Sequence, residues 1–435
     1  MTNNETSLFN DKNIGKEIWA DFLTLYKNFS SYNGSETEKT IFFLKKKLGI
    51  KIIKYKYGKK IKSWRIPTYR KVIKGILKRN KKNILNYKDN KFFIWQNSVS
   101  IKKKLKFNEL KSHIYYKKEN KKSVPLNNVA YTNTWGLSMS YNQFLKLNKK
   151  SLYEIEIVSK KYNSDLQIGE LFIKGKSKQE ILIDSVISCP SLGNNVSAIA
   201  VILSVVKFLL KKNNYFSYRI LFTPETIGPL SMLERIKKNK NILGGSCFTN
   251  LGYGKYFNYK ESRSGNTIFD KSIKYLKKKD KLLKIKLRKF ETSTGFSGNE
   301  KAYNSLGYKC NMGNFSRSIL NTYTEYDTHL DNKDFVSLKN MIQSLNVINR
   351  VLEIVDSERR YIYNFDGEPS YSNYGLQDKI QNNNARSIID YLVTYSDGSK
   401  TLLDFALSSK FKLVELKKYA KILKNKNILK EIKVE

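Results

Sequence analysis

One stretch, residues 181–210, constrains the fold of this chain more than any other. Residues 181–187 read ILIDSVI, which is typical of a buried strand, and residues 196–210 are apolar enough for a buried helix. Pro190 and the Gly-Asn-Asn run at 193–195 predict a sharp turn between them. In open α/β sheets, ligand crevices form at the carboxyl ends of strands. We therefore expect a crevice lined by the short polar side chains of this turn, which are Ser188, Cys189, Ser191, Asn194 and Asn195.

Further alternation of strands and helices follows this stretch. Residues 217–222 and 244–250 read as buried strands, and residues 224–228 open a helix between them. A long apolar helix is predicted at 335–355. Such alternation predicts an α/β fold with a three-layer arrangement, in which helices cover both faces of a mixed, largely parallel sheet.

Two other regions have a different texture. Residues 51–151 contain short alternating runs separated by Lys-Asn turns, which predicts an inserted β domain within an α/β domain formed by residues 1–50 and 152–365. Residues 366–386 are polar and read as a linker. Residues 385–435 have the size and helix pattern of a winged-helix domain, with residues 412–424 as its second helix.

Charge and cysteine content limit the classes of function. The formal net charge is +43, but lysine greatly outnumbers arginine and is spread along the whole chain. Since arginine is the residue that reads bases and phosphates in a bidentate manner, this balance favours non-specific attraction to polyanions over specific DNA binding. Three separated cysteines, no signal-peptide pattern and no run of eighteen apolar residues predict a cytoplasmic protein without a membrane span.

The order of several short motifs resembles a known family. These motifs are Gly58 to Pro67 with Trp64, Val124-Pro125, Thr134 to Ser138, Pro190-Ser191-Leu192, Pro224 to Gly228, Tyr259-Lys260, Ser262-Arg263, Gly265, Asp270, Arg317-Ser318, Glu325-Tyr326, Glu368-Pro369, and Ser396 to Gly398 with Leu402 to Asp404. Their order is similar to that of bacterial zinc-aminopeptidase-like proteins of unknown function. In that family a small β domain interrupts a peptidase-like domain and a winged helix closes the chain.

The resemblance implies a site whose ligands are largely substituted here. The family's Cys-His-Pro-Ser stretch has its histidine ligand at the position of Cys189, and the aspartate ligand that ends the stretch is at the position of Asn195. The aspartate of a later Gly-Asp pair corresponds to Tyr253, and the histidine of a Tyr-His-Thr-Ser run to Asp327. Because zinc requires anionic or imidazole ligands, we expect no bound cofactor, with zinc as the candidate if the site is retained.

The resemblance also assigns candidate roles to single residues. Glu225 is the candidate catalytic carboxylate, with a helix N-terminal carboxylate as the structural alternative. The candidates for ligand binding are Ser191, Asn194, Arg263, Arg317 and Tyr326. His113 and His329 are the only histidines of the chain, and we interpret both as structural.

Three functions remain open at this point. The first is a degenerate pseudo-peptidase whose crevice binds a peptide-like or glycan-precursor ligand without hydrolysis. The second is an active metal-dependent aminopeptidase or amidohydrolase that uses Cys189, Glu225 and Asp327, with a link to polysaccharide biosynthesis that only the resemblance implies. The third is a scaffold or regulator that acts through the winged helix. The sequence does not give the oligomeric state.

Overall fold

The computed structural model describes residues 12–236, 239–290, 298–308, 310–319 and 322–434. An α/β domain, a small β domain and a C-terminal unit make up this part of the chain.

The α/β domain is built on an eight-stranded sheet, as predicted. Its strands, in the order in which they lie side by side, are β1 (Lys51–Tyr55), β10 (Leu166–Ile173), β12 (Ser217–Thr223), β11 (Glu180–Val186), β13 (Ile242–Phe248), β16 (Met312–Ser316), β14 (Phe257–Lys260) and β15 (Ile285–Arg288).

Four neighbouring strands in the middle of this sheet run in one direction. β12, β11, β13 and β16 pair in parallel, whereas β10 is antiparallel to β12 and β14 is antiparallel to β16. The carboxyl ends of the four central strands therefore share one edge of the sheet. The predicted turn at 188–195 lies at this edge because β11 is the strand that precedes it.

Helices cover both faces of the sheet. One core lies between the sheet and α1, α2, α5, α7 and α9, and a second core contains residues of α6 and α8. These helices are α1 (Lys12–Tyr26), α2 (Ser35–Leu48), α5 (Gly193–Lys211), α6 (Ile227–Ile236), α7 (Ile268–Lys279), α8 (Asn299–Tyr303) and α9 (Leu338–Asp356).

The long helix α5 directly follows the turn. Within the described residues it is the one helix whose length and composition would suit a membrane crossing. However, 78% of its apolar window is buried in the protein, and its side chains contribute much of the first core. A buried core helix passes the same length and composition test.

The small β domain is an insertion, but its boundaries differ from the predicted residues 51–151. β1 belongs to the main sheet, where it pairs with β10. The small sheet instead has the order β5-β4-β9-β6, and β9 lies between β4 and β6. The elements of this domain are β4 (Tyr69–Arg79), β5 (Lys82–Asn86), β6 (Ile101–Lys106), α3 (Phe107–Lys111), β7 (Ile114–Tyr115), β8 (Leu137–Ser138), α4 (Tyr141–Leu145) and β9 (Leu152–Tyr162). The short hairpin of β2 (Lys60–Ile61) and β3 (Trp64–Arg65) packs instead against the second core of the α/β domain.

The C-terminal unit begins earlier than the predicted residue 385. It contains β17 (Arg360–Tyr363), α10 (Gln377–Ile380), α11 (Asn383–Tyr395), β18 (Asp397–Thr401), α12 (Leu402–Ser408), α13 (Leu413–Asn425) and β19 (Leu429–Ile432). β17 is the central strand of its three-stranded sheet. The segment read as a linker is part of this unit, because Leu376 is fully buried in its core and Tyr371 and Tyr374 pack against that core.

This unit is docked on α7. Lys271 forms an ion pair with Asp404 at 2.8 Å, and Leu413 N donates a hydrogen bond to the Tyr275 hydroxyl at 3.1 Å. Lys278 Nζ donates to the carbonyls of Ala406 and Leu407 near the end of α12. The winged-helix assignment of this unit stays a prediction.

Close contact between β11 and β13 predicts a strong effect of one substitution. A Cβ atom on Gly245 would lie 1.7 Å from the Leu182 carbonyl oxygen, which belongs to the neighbouring backbone. We expect Gly245→Ala to lower the free energy of unfolding by about 3 kcal/mol, because the two strands must separate. Urea unfolding measures this change.

Gly307→Ala is the matched control, since a Cβ atom there meets nothing within 4 Å. This control should change the free energy of unfolding by less than about 0.5 kcal/mol. Equal effects of the two substitutions would contradict the strand contact.

Candidate functional site

Four loops meet at the carboxyl edge of the central strands. They follow β11, β12, β13 and β16, and each contains a non-glycine residue in the left-handed region: Ser191 (φ 54°), Thr226 (φ 60°), Asn250 (φ 52°) and Asp327 (φ 51°). Residues held in sparsely populated backbone regions concentrate at functional sites because the surrounding structure must stabilise them. This edge is therefore the candidate site, and we call it the crevice.

Asn194 connects three of the loops. Its side chain is 0% exposed, and its Oδ1 accepts hydrogen bonds from Gly252 N and Tyr253 N, both at 3.1 Å. Its Nδ2 donates to Ser318 Oγ at 2.7 Å and to the Tyr323 hydroxyl at 3.2 Å. The first turn of α5 thus holds the loops after β13 and β16 in place. Because both ends of the amide are bonded to the protein, Asn194 shapes the crevice from below its surface.

The turn that carries Glu225 is fixed from two sides. Glu225 N donates to Ser188 Oγ at 3.0 Å, and Thr226 N donates to Asn299 Oδ1 at 2.9 Å. Asn299 in turn donates to Asp184 Oδ2 at 2.6 Å in β11. The predicted catalytic carboxylate is therefore held on a rigid turn, and its residue remains accessible to solvent.

Three carboxyl groups and one thiol of the crevice, those of Glu225, Asp327, Asp331 and Cys189, influence one another electrostatically. Burial raises the pKa of Glu225 to about 7, and Asp327 and Glu300 add to this rise. Burial also raises the pKa of Asp327 to about 6, although Lys117 opposes the rise. The Glu225 residue is nevertheless exposed to solvent.

Cys189 and Asp331 complete this acidic group. Burial raises the pKa of the Cys189 thiol well above its usual value, and Glu225, Asp327 and Asp331 add to the effect. The Cys189 Sγ donates to the Val186 carbonyl at 3.4 Å. Burial raises the pKa of Asp331 to about 8, while its Oδ1 accepts the Asn194 N–H at 2.8 Å. Near neutral pH the Cys189 thiol is therefore protonated. The three carboxyl groups of the crevice keep protons that ordinary carboxylates lose at this pH.

The small β domain forms one wall of the crevice. Leu126 N donates to the Asp327 carbonyl at 2.8 Å, and Pro125 bridges to Thr328. Lys117 Nζ donates to the Tyr326 carbonyl, and Asp327 raises the pKa of Tyr326 well above its usual value, with burial as the second cause. The insertion therefore supplies a cation to the most acidic part of the crevice.

Aromatic side chains extend this wall. Tyr131 makes edge contacts with Tyr32 at 5.5 Å and with Trp64 at 5.2 Å between ring centroids. Burial raises the pKa of Tyr32 to about 12, and Glu225 is the second cause, which places Tyr32 near the carboxylate. Tyr131 remains 43% exposed and so presents an apolar ring to solvent.

The other predicted site residues are only partly brought together. Ser191 and Asn195 are half-buried in the turn, and Tyr253 is exposed and stacks on Phe335 at 4.1 Å. Arg317 lies next to the crevice, but its guanidinium donates to the Gly254 carbonyl at 2.7 and 3.0 Å. Burial lowers the pKa of Arg317 to about 10.

Arg263 is not part of the crevice. It follows β14, which is antiparallel to β16, and therefore lies at the opposite edge of the sheet. There its Nη1 donates to the Asn304 carbonyl at 3.2 Å. The nearby motif residue Asp270 accepts hydrogen bonds from Tyr259, Ser262 and Thr267, so this motif forms a buried structural network.

Both histidines make structural contacts, a hydrogen bond for His329 and ring stacking for His113. His329 Nδ1 accepts the Val124 N–H at 3.0 Å, which leaves the proton of the neutral ring on Nε2. His113 stacks on Trp135 with 3.9 Å between ring centroids.

The residues present do not fit a zinc pair. Among the residues that the structure describes, no group of three or more His, Cys, Asp or Glu side chains could hold a metal ion. A thiol must lose its proton to bind zinc, whereas the Cys189 Sγ donates to the Val186 carbonyl at 3.4 Å. Asn195 and Tyr253 provide neutral groups where anionic ligands would be required.

Sequence reasoning missed several residues of the crevice. Asp331 and Tyr323 lie more than a hundred residues from Asn194, and Tyr32 lies in the loop between α1 and α2. No local pattern marks them.

Comparisons with known proteins identify relatives of this architecture. Residues 20–358 match the profile of a family described as Domain of unknown function (DUF4910). A protein of Clostridium acetobutylicum, provisionally named a polysaccharide biosynthesis protein with an aminopeptidase-like domain, is 27% identical over 431 residues. The match covers 97% of this chain and 98% of that protein.

Solved structures show the same fold. The crystal structure of a provisionally assigned peptidase from Clostridium acetobutylicum superposes with a TM-score of 0.83 at 26% identity, covering 99% of this chain and 100% of that one. A zinc aminopeptidase from Bacillus subtilis superposes with a TM-score of 0.58 at 11% identity, over 78% and 94% of the two chains. The predicted aminopeptidase-like fold is confirmed.

The raised pKa of Asp331 predicts a pH dependence of stability. A carboxyl group whose pKa is higher in the folded than in the unfolded protein favours folding at low pH, and this contribution is lost as the pH rises through the folded value. For Asp331 the window runs from about 4, the ordinary value, to about 8. Within it, the free energy of unfolding should fall by up to about 1.4 kcal/mol per pH unit because of this group.

Asp331→Asn should remove this slope and keep an acceptor for Asn194 N. Urea unfolding between these pH values measures the difference in slope between the variant and the wild type. The control is Asp334→Asn, since the Asp334 side chain is 76% exposed. An unchanged slope in Asp331→Asn would contradict the buried position of this carboxyl group.

Proposed function

Since the chain belongs to the DUF4910 family and has the fold of zinc aminopeptidases, we propose that it is a pseudo-peptidase. In this proposal the crevice is kept as a ligand-binding site, and zinc-dependent hydrolysis is lost. The observation that carries the proposal is the contrast between the frame, that is, the residues that hold the crevice loops in place, and its contents, the residues at the candidate ligand positions. Asn194, Ser188 and Asn299 hold the loops in place, while Cys189, Asn195 and Tyr253 stand where metal ligands would be required.

The crevice favours a ligand with a positively charged or hydrogen-bond-donating group. Glu225, Asp327 and Asp331 gather in a chain of otherwise high positive charge. Exposed aromatic rings such as Tyr131 and Tyr253 offer apolar surface beside them. A peptide-like or glycan-precursor ligand has both features, and the name of the Clostridium acetobutylicum relative supports the second class.

An active metal-dependent hydrolase is the second candidate. One observation favours it: Glu225 is accessible, rigidly held and has a pKa of about 7, which suits a general base near neutral pH. In that case Cys189, Glu225 and Asp327 would have to hold the metal. Cys189 would then have to bind as a thiolate, although its Sγ donates to the Val186 carbonyl in this structure.

A regulator acting through the C-terminal unit has less support. The N-terminal residues of a recognition helix contact the bases in helix-turn-helix proteins. In this chain the start of α13 is bonded to Tyr275 of α7, and Lys417 contacts Ser357. We therefore propose that α13 packs within the protein and that polyanions are attracted by charge alone. The three separated cysteines support the further proposal that the protein is cytoplasmic.

Zinc analysis of the purified protein separates the first two candidates. After zinc loading and desalting, we expect substoichiometric metal, because the neutral groups of the crevice do not replace anionic ligands. Hydrolysis of leucine p-nitroanilide should be no faster for the wild type than for Glu225→Gln.

Cys189→Ala serves as the matched variant for metal content. One zinc per chain that is lost in Cys189→Ala, together with activity that is lost in Glu225→Gln, would contradict the pseudo-peptidase proposal.

A further inference from the structure

A second cavity lies away from the crevice, between the C-terminal unit and the α/β domain. Its volume is about 700 Å³, which is within the range of ligand pockets. β19 and the turn before it form one wall, and residues 177–179 with Tyr215 form the other. We call this space the seam cavity. Ligand sites occur preferentially at such interfaces between domains.

The lining of the seam cavity carries excess positive charge. Its lining residues include three lysines, Lys424, Lys430 and Lys433, and a single carboxylate, Glu431. That carboxylate is already neutralised, since it pairs with Lys424 and with Arg359 Nε at 3.3 Å. Within the described part of the chain, Lys430 and Lys433 form no ion pair, so their ammonium groups are available to an anion.

Neutral polar groups surround these lysines. Gln179 donates through Nε2 to the Val434 carbonyl, and Asn364 Nδ2 donates to the Asn427 carbonyl at 3.1 Å. These two bonds use the amide nitrogens of Gln179 and Asn364. The side-chain carbonyl oxygen of an amide is a hydrogen-bond acceptor and can accept from a hydroxyl group. The Tyr215 ring adds an aromatic surface, which is held in place by the Arg359 guanidinium 3.3 Å from its centroid.

Lysine alone would not indicate a site in this chain, which contains 81 lysine and arginine residues. In the seam cavity, two lysines that form no ion pair among the described residues line one open volume of ligand size together with amide groups and an aromatic ring, and its one lining carboxylate is already paired. Lysines match a phosphate or carboxylate, and amide groups match hydroxyls. We propose that the seam cavity binds an anionic saccharide, that is, a sugar carrying a phosphate or a carboxylate.

Isothermal titration of the full chain tests this site. The probes are glucose 6-phosphate and glucuronate, with uncharged glucose and inorganic phosphate as partial ligands. We expect one of the charged sugars to bind with a stoichiometry of one and more tightly than glucose or phosphate, since only it engages both kinds of group. The stronger of the two charged sugars identifies the anionic group.

The double variant Lys430→Gln/Lys433→Gln should weaken this binding by about tenfold or more, because two charge-assisted contacts are lost. The matched control is Lys149→Gln/Lys150→Gln, which removes the same charge from an exposed turn of the small β domain. It should change the affinity by less than about twofold, as expected for long-range charge that salt screens. Equal losses in the two double variants, or phosphate binding as tightly as the charged sugars, would overturn the proposal.

This result is independent of the crevice. Cys189→Ala and Glu225→Gln alter the proposed peptidase-like site and should leave binding of the charged sugar unchanged. A loss of sugar binding in either of these variants would place the ligand in the crevice and overturn the seam-cavity site.

Discussion

The hydrogen bonds of the buried Asn194 amide are the interaction on which the crevice depends. One side chain accepts from two backbone N–H groups of the loop after β13 and donates to two hydroxyls of the segment after β16. Leaving such buried donors and acceptors without partners costs about 1–3 kcal/mol each. The loops are therefore tied to α5 by bonds of the Asn194 side chain that involve none of the candidate metal-ligand side chains.

In the proposed pseudo-peptidase, the crevice keeps its shape because the residues that hold the loops differ from the substituted ligand positions. Cys189 lies five residues before Asn194 and Asn195 directly follows it, yet neither contributes a side-chain hydrogen bond to the loops after β13 and β16 among the described contacts. Substitutions at such positions alter the charge of the crevice without removing the bonds that shape it. The acidic groups Glu225, Asp327 and Asp331 then lie close together with Lys117 as a neighbouring cation, and their pKa values rise because the site is buried.

Much of this architecture could be predicted because it depends on local patterns. The apolar run before Pro190 and the apolar run from Val196 predict a strand and a core helix, and the structure confirms both. The Gly-Asn-Asn run, predicted as part of the turn, instead forms the first residues of α5. The family resemblance placed Glu225, Cys189 and Asp327 in one region, and their mutual electrostatic influence agrees with that placement. Only the chemical role of these residues is left to experiment.

The rest depended on contacts between distant segments. Residues 51–55 alternate like the strands that follow them, so the sequence does not reveal that β1 pairs with β10 of the main sheet. Arg263 was placed near the crevice by motif order, but strand direction puts it at the opposite edge. Similarly, the polar texture of residues 366–386 concealed the buried Leu376, whose partners lie on helices further along the chain.

The most direct test of a retained scaffold with lost chemistry is restoration of the family's ligands. The variant with Cys189→His, Asn195→Asp, Tyr253→Asp and Asp327→His places imidazole and carboxylate groups on the existing loops. Zinc content after metal loading and desalting should rise from substoichiometric in the wild type to at least one equivalent in this variant, with the Asn194 frame unchanged. A folded variant that still binds no zinc would contradict the account, because the loops would then not hold the geometry of a metal site.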